Sequence, residues 1–568
     1  MAELKHFRGT EGADFFAEDR GFQTILASLL PTRDTGSLFA SLHEFGRLAG
    51  GPWNELAQQA SRHENLPRIV KTDRVGNPVE RVDFGPLTRQ LRREVAERGV
   101  LSRAQSEIHK FSIVYLLAHN GEASLTCGLS CTDGLERAVQ AKGSTFLRDT
   151  YLPRLLSTET PFAGAQFVTE RAGGSDVGAI EMTAHDNGDG TWSVAGDKWF
   201  CSNPDEYYLV AAKLEGAPAG TRGIGVFFVP RALPDERPNS LAFVRLKNKL
   251  GTQSLPTAEI EFRGSIAYPI GEPSEGFKTL MNYVINTSRV HNAVNACGIV
   301  HRAFVEARNY ARQREAFGAR LVSYPLIQET LIAMQETIWR NRLLTFRLIS
   351  LLDQHGLVPD DEDQAMWQRF LINLAKYRTA CTSTMLVREA ITVLGANGIE
   401  EEFSVLPRLL RDAMIMETWE GPHNTLCLQI VRDAGRSRLL ERWQAEIGES
   451  LERWPRGFLS YTRNRFEQSL RETEDIIAGG RITEPRWAET HARRLVDRMG
   501  SLLEIAWMAE LSAKLSGKDW TPALLTAMAR YRLFPTDRLV DTHLAEAITE
   551  SADALIEESP LASDVTQL

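Results

Sequence analysis

The chain has 568 residues, 43% hydrophobic and 24% charged, with a formal net charge of −9. That length exceeds what one compact core accommodates, so several domains are expected. The acidic balance argues against general binding to nucleic acid or anionic membranes, and no apolar run reaches the roughly 18 residues needed to span a bilayer. The opening residues lack the apolar core of a secretory signal. Acidic residues through Glu18 and Asp19 argue against a transit peptide, so a cytoplasmic location is expected.

Residues 1–160 read as mostly helical. Apolar residues recur at three- and four-residue spacing over Phe22 to Leu30, Leu38 to Ala49, Leu87 to Glu97 and Ala104 to Ala118. Gly76-Asn77-Pro78 marks a turn between them. From 161 to 265 the period changes. The turn formers between Ala184 and Val194 predict a hairpin, and Tyr207 to Lys213, Gly225 to Val229 and Ala258 to Phe262 are further β-type runs. Short strands without intervening helices predict an antiparallel sheet or barrel. Helical patterning returns over 266–440, with long runs such as Arg289 to Ala311 and Leu326 to Leu352, and Gly356 to Asp363 as a connecting loop. Residues 441–568 are helical again, with a distinct composition that includes Trp443, Trp454, Trp487, Trp507 and Trp520. They read as an appended domain. The expected fold is mainly α with a central β-domain.

Cys127, Cys131, Cys201, Cys297, Cys381 and Cys427 form no Cys-x-x-Cys pair, and no histidine cluster has zinc-like spacing. No metal is expected. Cys127 and Cys131 fit one helix face as two small buried residues.

Three separated segments carry chemistry. In Gln166-Phe167-Val168-Thr169-Glu170-Arg171-Ala172-Gly173-Gly174-Ser175-Asp176 a strand-like run breaks into paired glycines, a hydroxyl and a carboxylate. Glycines allow close backbone approach to a ligand, and neighbouring N–H groups can form an anion-binding nest. In Gly196 to Asn203, Phe200 and Ser202 stand two apart in a predicted strand and so share a face. An aromatic surface beside a hydroxyl suits a planar ring with polar edges. Taken singly, each has a plainer reading as a loop or as a core aromatic beside an edge serine. The third segment is Met416-Glu417-Thr418-Trp419-Glu420-Gly421, in which Glu417 reads as an exposed turn glutamate.

Together these segments resemble the flavin-binding and base-bearing motifs of the acyl-CoA dehydrogenase family, over roughly residues 1–440. The resemblance implies a helical domain, a β-barrel and a helical bundle, with FAD as cofactor. It places Val168, Thr169, Gly174, Ser175, Phe200 and Ser202 on FAD from one subunit. From a partner subunit it implies Arg314 and Phe317 of Arg314-Glu315-Ala316-Phe317-Gly318, and Gly395 of the Gly395-Ala396-Asn397-Gly398 turn. Arginine suits a pyrophosphate because its planar fork makes bidentate bonds. Trp419 and Asn424 complete the cofactor set. Glu420 takes the base position. Abstracting the proton next to a thioester carbonyl needs a carboxylate within hydrogen-bond reach of that carbon. Some members carry the base on a helix just before an arginine, but here that place is Ser288, before Arg289.

The chain departs from the family pattern at Pro422-His423-Asn424, Thr392, Ala396 and Tyr324-Pro325. Pro422 offers no backbone donor. Arg245 to Ser254, Phe227 to Arg231, Tyr324-Pro325-Leu326, the long N-terminal region and the extra C-terminal domain look most like the AidB-type branch. That likeness implies a homotetramer, an acyl-CoA substrate and, for a working dehydrogenase, an electron-transfer flavoprotein as acceptor. Some branch members are linked to DNA through a basic C-terminal surface. Here residues 441–568 hold 16 Lys+Arg against 22 Asp+Glu, a balance that disfavours phosphate binding. Arg463-Asn464-Arg465 and Arg493-Arg494 are the local exceptions. The alternative to a dehydrogenase is thus an AidB-like flavoprotein acting by binding DNA or a lipid.

Overall fold

The structure is a computed structural model and describes residue 7 and residues 9–30, 35–454, 460–479, 481–515 and 550–559. Trp520 lies outside them. The chain divides into two compact units, one of Met1–Gly51, Tyr115–His119 and Asn292–Leu568, the other of Pro52–Val114 and Asn120–His291.

The second unit is built on a sheet. Strands β3 (Gly164–Phe167), β4 (Thr183–Asp186), β5 (Trp192–Ser202), β6 (Tyr207–Leu214), β7 (Ile224–Pro230), β8 (Leu241–Leu246) and β9 (Thr257–Pro269) follow the hairpin β1 (Arg68–Thr72) and β2 (Pro78–Asp83). The pairings β6–β4, β4–β5, β5–β9, β9–β7 and β7–β6 return to their starting strand, so the sheet closes on itself. Closure leaves those strands without a free edge, which favours a rigid platform. One apolar cluster gathers Phe167, Val194, Tyr208, Val210, Phe227, Val229 and Ile260. The alternate residues Tyr207, Leu209, Ala211, Val226 and Phe228 belong to a second cluster with Leu135, Val139 and Tyr151 of neighbouring helices. Both faces of β6 and β7 are therefore buried, which explains why these strands read as continuous apolar runs rather than as alternation.

Two expectations change. The turn at Gly76-Asn77-Pro78 joins two strands, not helices, so the N-terminal region is not wholly helical. The barrel is mixed, since β3 and β4 both pair β6 in parallel.

The first unit is helical. Its long elements are Asn292 onward in Asn286–Gln313, then Pro325–His355, Glu362–Leu394, Leu406–Thr418, His423–Ala434, Leu439–Glu452 and Pro485–Lys514. Asp361 caps Glu362–Leu394 by accepting the Gln364 N–H at 2.7 Å. Gly356 (φ +71°) ends the preceding helix in a conformation glycine adopts freely. The C-terminal helix is tied in by buried charge. Glu504 receives Arg378 at 2.9 Å and also Arg340. Burial pushes the Glu504 carboxyl up, but the two guanidiniums more than offset this and hold it below its ordinary value.

A polar cluster fills the core near the first helix. The Tyr115 hydroxyl and Arg342 both meet Asp19, and Arg342 also reaches Glu558 at 3.0 Å. His119 Nδ1 sits 2.9 Å from the Tyr115 carbonyl, so that nitrogen carries the proton and Nε2 accepts from His301 Nδ1, also at 2.9 Å. Asp19, His119 and His301 would suit a metal by composition. The direct His–His hydrogen bond and the Arg342 guanidinium on the same carboxylate instead tie these groups into one hydrogen-bonded network, in which Arg342 Nε alone lacks a partner among the described residues of the cluster.

Candidate functional site

In the barrel unit, Val168 and Thr169 leave the end of β3 as irregular backbone. Glu170 is buried and anchors them. Its carboxylate meets Lys198 Nζ at 2.6 Å and accepts the N–H groups of Glu181 at 2.6 Å and Met182 at 3.2 Å. Lys198 also donates to the Val168 carbonyl at 3.1 Å, and Trp199 N–H donates to Thr169 O at 2.9 Å. Burial pulls the Lys198 ammonium down despite its carboxylate partner. Beyond Glu170 the chain doubles back at Gly173, with φ +136°. A Cβ at Gly174 would stand 2.5 Å from Thr169 Oγ1, so glycine there keeps room around that hydroxyl.

On β5, Phe200 is 51% exposed, an unusual state for a large aromatic on a barrel strand. Ser202 Oγ lies 3.0 Å from Thr257 Oγ1. Lys247 sits over the Phe200 ring at 4.6 Å. The strand ends at Asn203, whose φ is +57°. Its buried amide donates to the carbonyls of Phe162 and Gly164, both at 2.8 Å, and accepts from Arg92 at 2.9 Å. The fold thus brings Val168, Thr169, Gly174 and the end of β5 together, with Ser175 exposed nearby in sequence. An exposed aromatic, hydroxyls and a glycine-lined turn fit the edge and face of an isoalloxazine.

In the helical unit, Leu406–Thr418 stops at Trp419, and Glu420 takes a left-handed φ of +57° before Gly421 at +100°. A positive φ at a non-glycine residue has to be held by its surroundings. Lys376 does so from beneath, donating to Gly421 O at 2.8 Å and Glu417 O at 3.4 Å. Glu417 and His423 meet across the turn at 2.9 Å, and the Thr384 hydroxyl donates to the same carboxylate. Glu417 is therefore not the exposed residue its position suggested, because the turn folds it back onto the following helix. Burial lowers the His423 imidazole from its ordinary value, against the pull of Glu417. Trp419 Nε1 is buried with no acceptor among the described residues. Asn424 is exposed.

The same unit places two further segments side by side. Arg314 closes onto Tyr310, Glu315–Ala316 and Ala319–Arg320 form a two-stranded hairpin, and the Asn397 amide reaches the Tyr310 hydroxyl at 3.1 Å. Phe317 at the hairpin tip is 98% exposed, and Gly395 (φ +63°) opens the adjoining 3₁₀ turn. Sequence reasoning missed Glu170, Lys198, Asn203, Lys376 and the Glu417–His423 pair. Lys198 sits in Gly196 to Asn203, but nothing in its spacing discloses its partner.

Three family models match the chain. They are the AidB N-terminal domain over 8–160, the acyl-CoA dehydrogenase middle domain over 165–265 and the acyl-CoA dehydrogenase C-terminal domain over 274–435. Acyl-CoA dehydrogenase family member 11 of Caenorhabditis elegans is 30% identical over 436 residues, covering 73% of this chain and 70% of the relative. AidB of Escherichia coli (strain K12) is 30% identical over 385 residues, covering 65% and 69%. The solved structure of C. elegans ACDH-11 in complex with C11-CoA superposes with a TM-score of 0.84 at 25% identity, covering 93% of this chain and 92% of that one. With both dehydrogenase domains behind an AidB-type N-terminal domain, the chain belongs to the acyl-CoA dehydrogenase family, whose cofactor is FAD.

Proposed function

We propose that the protein is an FAD-dependent acyl-CoA dehydrogenase in which Glu420 is the base. The observation that carries this reading is the Trp419-Glu420-Gly421 turn, whose unfavourable backbone at Glu420 is fixed by Lys376 and the Glu417–His423 pair. Strain of roughly 1–3 kcal/mol persists only where surrounding contacts over-determine it, and such residues cluster at active sites, ligand clamps and switch regions. Glu420 takes the proton as the Cα–H bond of the thioester breaks. The electron pair of that bond forms the new C=C as hydride leaves the next carbon. Bound FAD supplies the acceptor for that hydride.

The other residues bind and orient. In the barrel unit Val168 and Thr169 offer donors to the ring edge, Gly174 and Ser175 serve phosphate, and Phe200 and Ser202 border the ring; Trp419 is the cofactor residue beside the base in the helical unit. Arg314, Phe317 and Gly395 act on a partner subunit's cofactor, which the 98% exposure of Phe317 supports, and Asn424 keeps an amide contact to FAD. The same reading carries a homotetramer in the cytoplasm, an electron-transfer flavoprotein as acceptor, and domain limits of 1–160, 161–265, 266–440 and 441–568. No helix among the described residues is long and apolar enough to cross a membrane.

Anaerobic titration of the yellow holoprotein with short-, medium- and long-chain acyl-CoAs tests the proposal. Bleaching by at least one chain length is expected. No bleaching by any, together with a salt-dependent shift of duplex DNA or retention of lipid, would favour the binding-protein alternative.

A further inference from the structure

Within the barrel unit, away from the Val168–Asp176 segment in sequence, lies a cavity of about 210 Å³. Its wall is unusual for a chain of net charge −9. Arg81 of β2, Arg89, Arg92 and Arg93 of the helix Pro86–Glu97, and Arg231 after β7 all line it. Glu159, Asp205 and Glu206 are the acids on the same wall, and Thr160 adds a hydroxyl.

The pairing within this wall leaves cations over. Arg231 meets Glu206 at 2.7 Å, and Arg92 stands 3.9 Å from Asp205. Arg81, Arg89 and Arg93 make no ion pair within 4 Å among the described residues, although Arg89 lies near enough to pull the Asp83 and Glu206 carboxyls down against the upward push of burial, and Glu159 is the lining acid without an ion pair. Arg92 is 2% exposed, and its hydrogen bonds to Phe162 O and Asn203 both come from Nη2. Its Nε is buried without a partner, which is a costly state for a guanidinium donor unless a ligand or water satisfies it. The volume is below the roughly 300–1,000 Å³ of sites for drug-sized ligands, so the cavity suits a compact group rather than a nucleotide cofactor. Guanidinium forks match the oxygens of phosphate, with charge and bidentate geometry acting together.

We propose that this cavity binds a phosphoryl dianion, presented either by a small soluble phosphate compound or by a phosphate-monoester lipid headgroup. Arg81, Arg89 and Arg93 supply the charge, Arg92 supplies a fixed buried donor, and Glu159 limits the affinity.

The probes are inorganic pyrophosphate and vesicles of phosphatidylcholine containing phosphatidic acid, both added to the FAD-loaded protein at constant ionic strength. Saturable pyrophosphate binding with Kd below about 1 mM is expected by calorimetry. Arg81→Ser with Arg93→Ser removes two exposed side chains and should weaken binding at least about tenfold. Glu159→Gln should tighten it, the opposite sign. Flavin content and acyl-CoA bleaching should not change in either variant. Pyrophosphate binding without vesicle co-sedimentation assigns a soluble ligand, whereas co-sedimentation lost in the double arginine variant assigns a headgroup. Failure to saturate with either probe, equal affinity in the double variant, or competition between pyrophosphate and saturating acyl-CoA would each overturn the site.

Discussion

The Val168–Asp176 segment and the Trp419-Glu420-Gly421 turn both present functional groups on irregular backbone, and each is pinned by a buried lysine. The lysines work differently. Lys198 is neutralised by the Glu170 carboxylate at 2.6 Å, so the barrel segment depends on a full ion pair out of water. Lys376 instead donates to two carbonyls of the turn, at 2.8 and 3.4 Å. The first arrangement couples a segment to a closed sheet, where losing one partner strands a charge. The second shapes a local turn, where losing the lysine takes the donor away from two backbone carbonyls. Stability is thus concentrated in the barrel segment, while the turn carries the candidate base.

The largest effect is expected at the base itself. Glu420→Gln should lower the rate of substrate-driven flavin reduction by about 10²–10⁴-fold while FAD stays bound, read by stopped-flow absorbance. An undiminished rate would remove Glu420 from its role and break the contrast at its reactive end. Lys198→Met tests the other end. It leaves Glu170 buried and unpaired, which should cost about 3–5 kcal/mol in denaturant unfolding and release FAD. Lys198→Met combined with Glu170→Gln should recover part of that loss, since no charge then remains stranded.

Acid separates the helical unit's core from both segments. Burial holds the His119 imidazole down at about 4, and burial and the neighbouring His119 act in the same direction on His301 despite Asp19. The unfolded chain protonates these histidines near pH 6.5, above their folded values. Stability is therefore full above about pH 6.5 and falls as the pH drops, until about pH 4 for His119. That group alone accounts for roughly 3 kcal/mol over this window. His119→Gln should flatten the pH dependence of thermal unfolding between those limits. A profile that stays as steep would place acid sensitivity elsewhere.

The smallest effect is expected at Lys376. Lys376→Met removes the donors beneath the turn, worth about 1–2 kcal/mol, and should slow flavin reduction about tenfold with little change in FAD content. Loss of flavin comparable to that of Lys198→Met would erase the distinction between the two lysines.

Much of this was legible in the sequence because it is written in adjacent residues. The paired glycines after Thr169, the Phe200-x-Ser202 spacing and the Trp419-Glu420-Gly421 triplet are local patterns, and the order of helix, strand and helix follows from hydrophobic period. The hairpin across Ala184 to Val194 was equally local, since its turn formers lie between its own strands. Glu417 was misread for the complementary reason. Its neighbours in sequence describe a turn, while its partial burial comes from Thr384 and His423 folding against it.

The sequence by itself determined the succession of elements, the family motifs and the identity of the candidate base, because propensity and motif spacing act over a few residues. Only the tertiary structure decided that the sheet closes through β6 and β7, with both faces of those strands buried. Only it joined Glu170 to Lys198, Lys376 to Gly421, and the arginines of three separate elements around one cavity. These contacts link residues tens to more than a hundred positions apart. Lone lysines and arginines have no period, so their partners become known only when the chain has folded and water has been excluded between them.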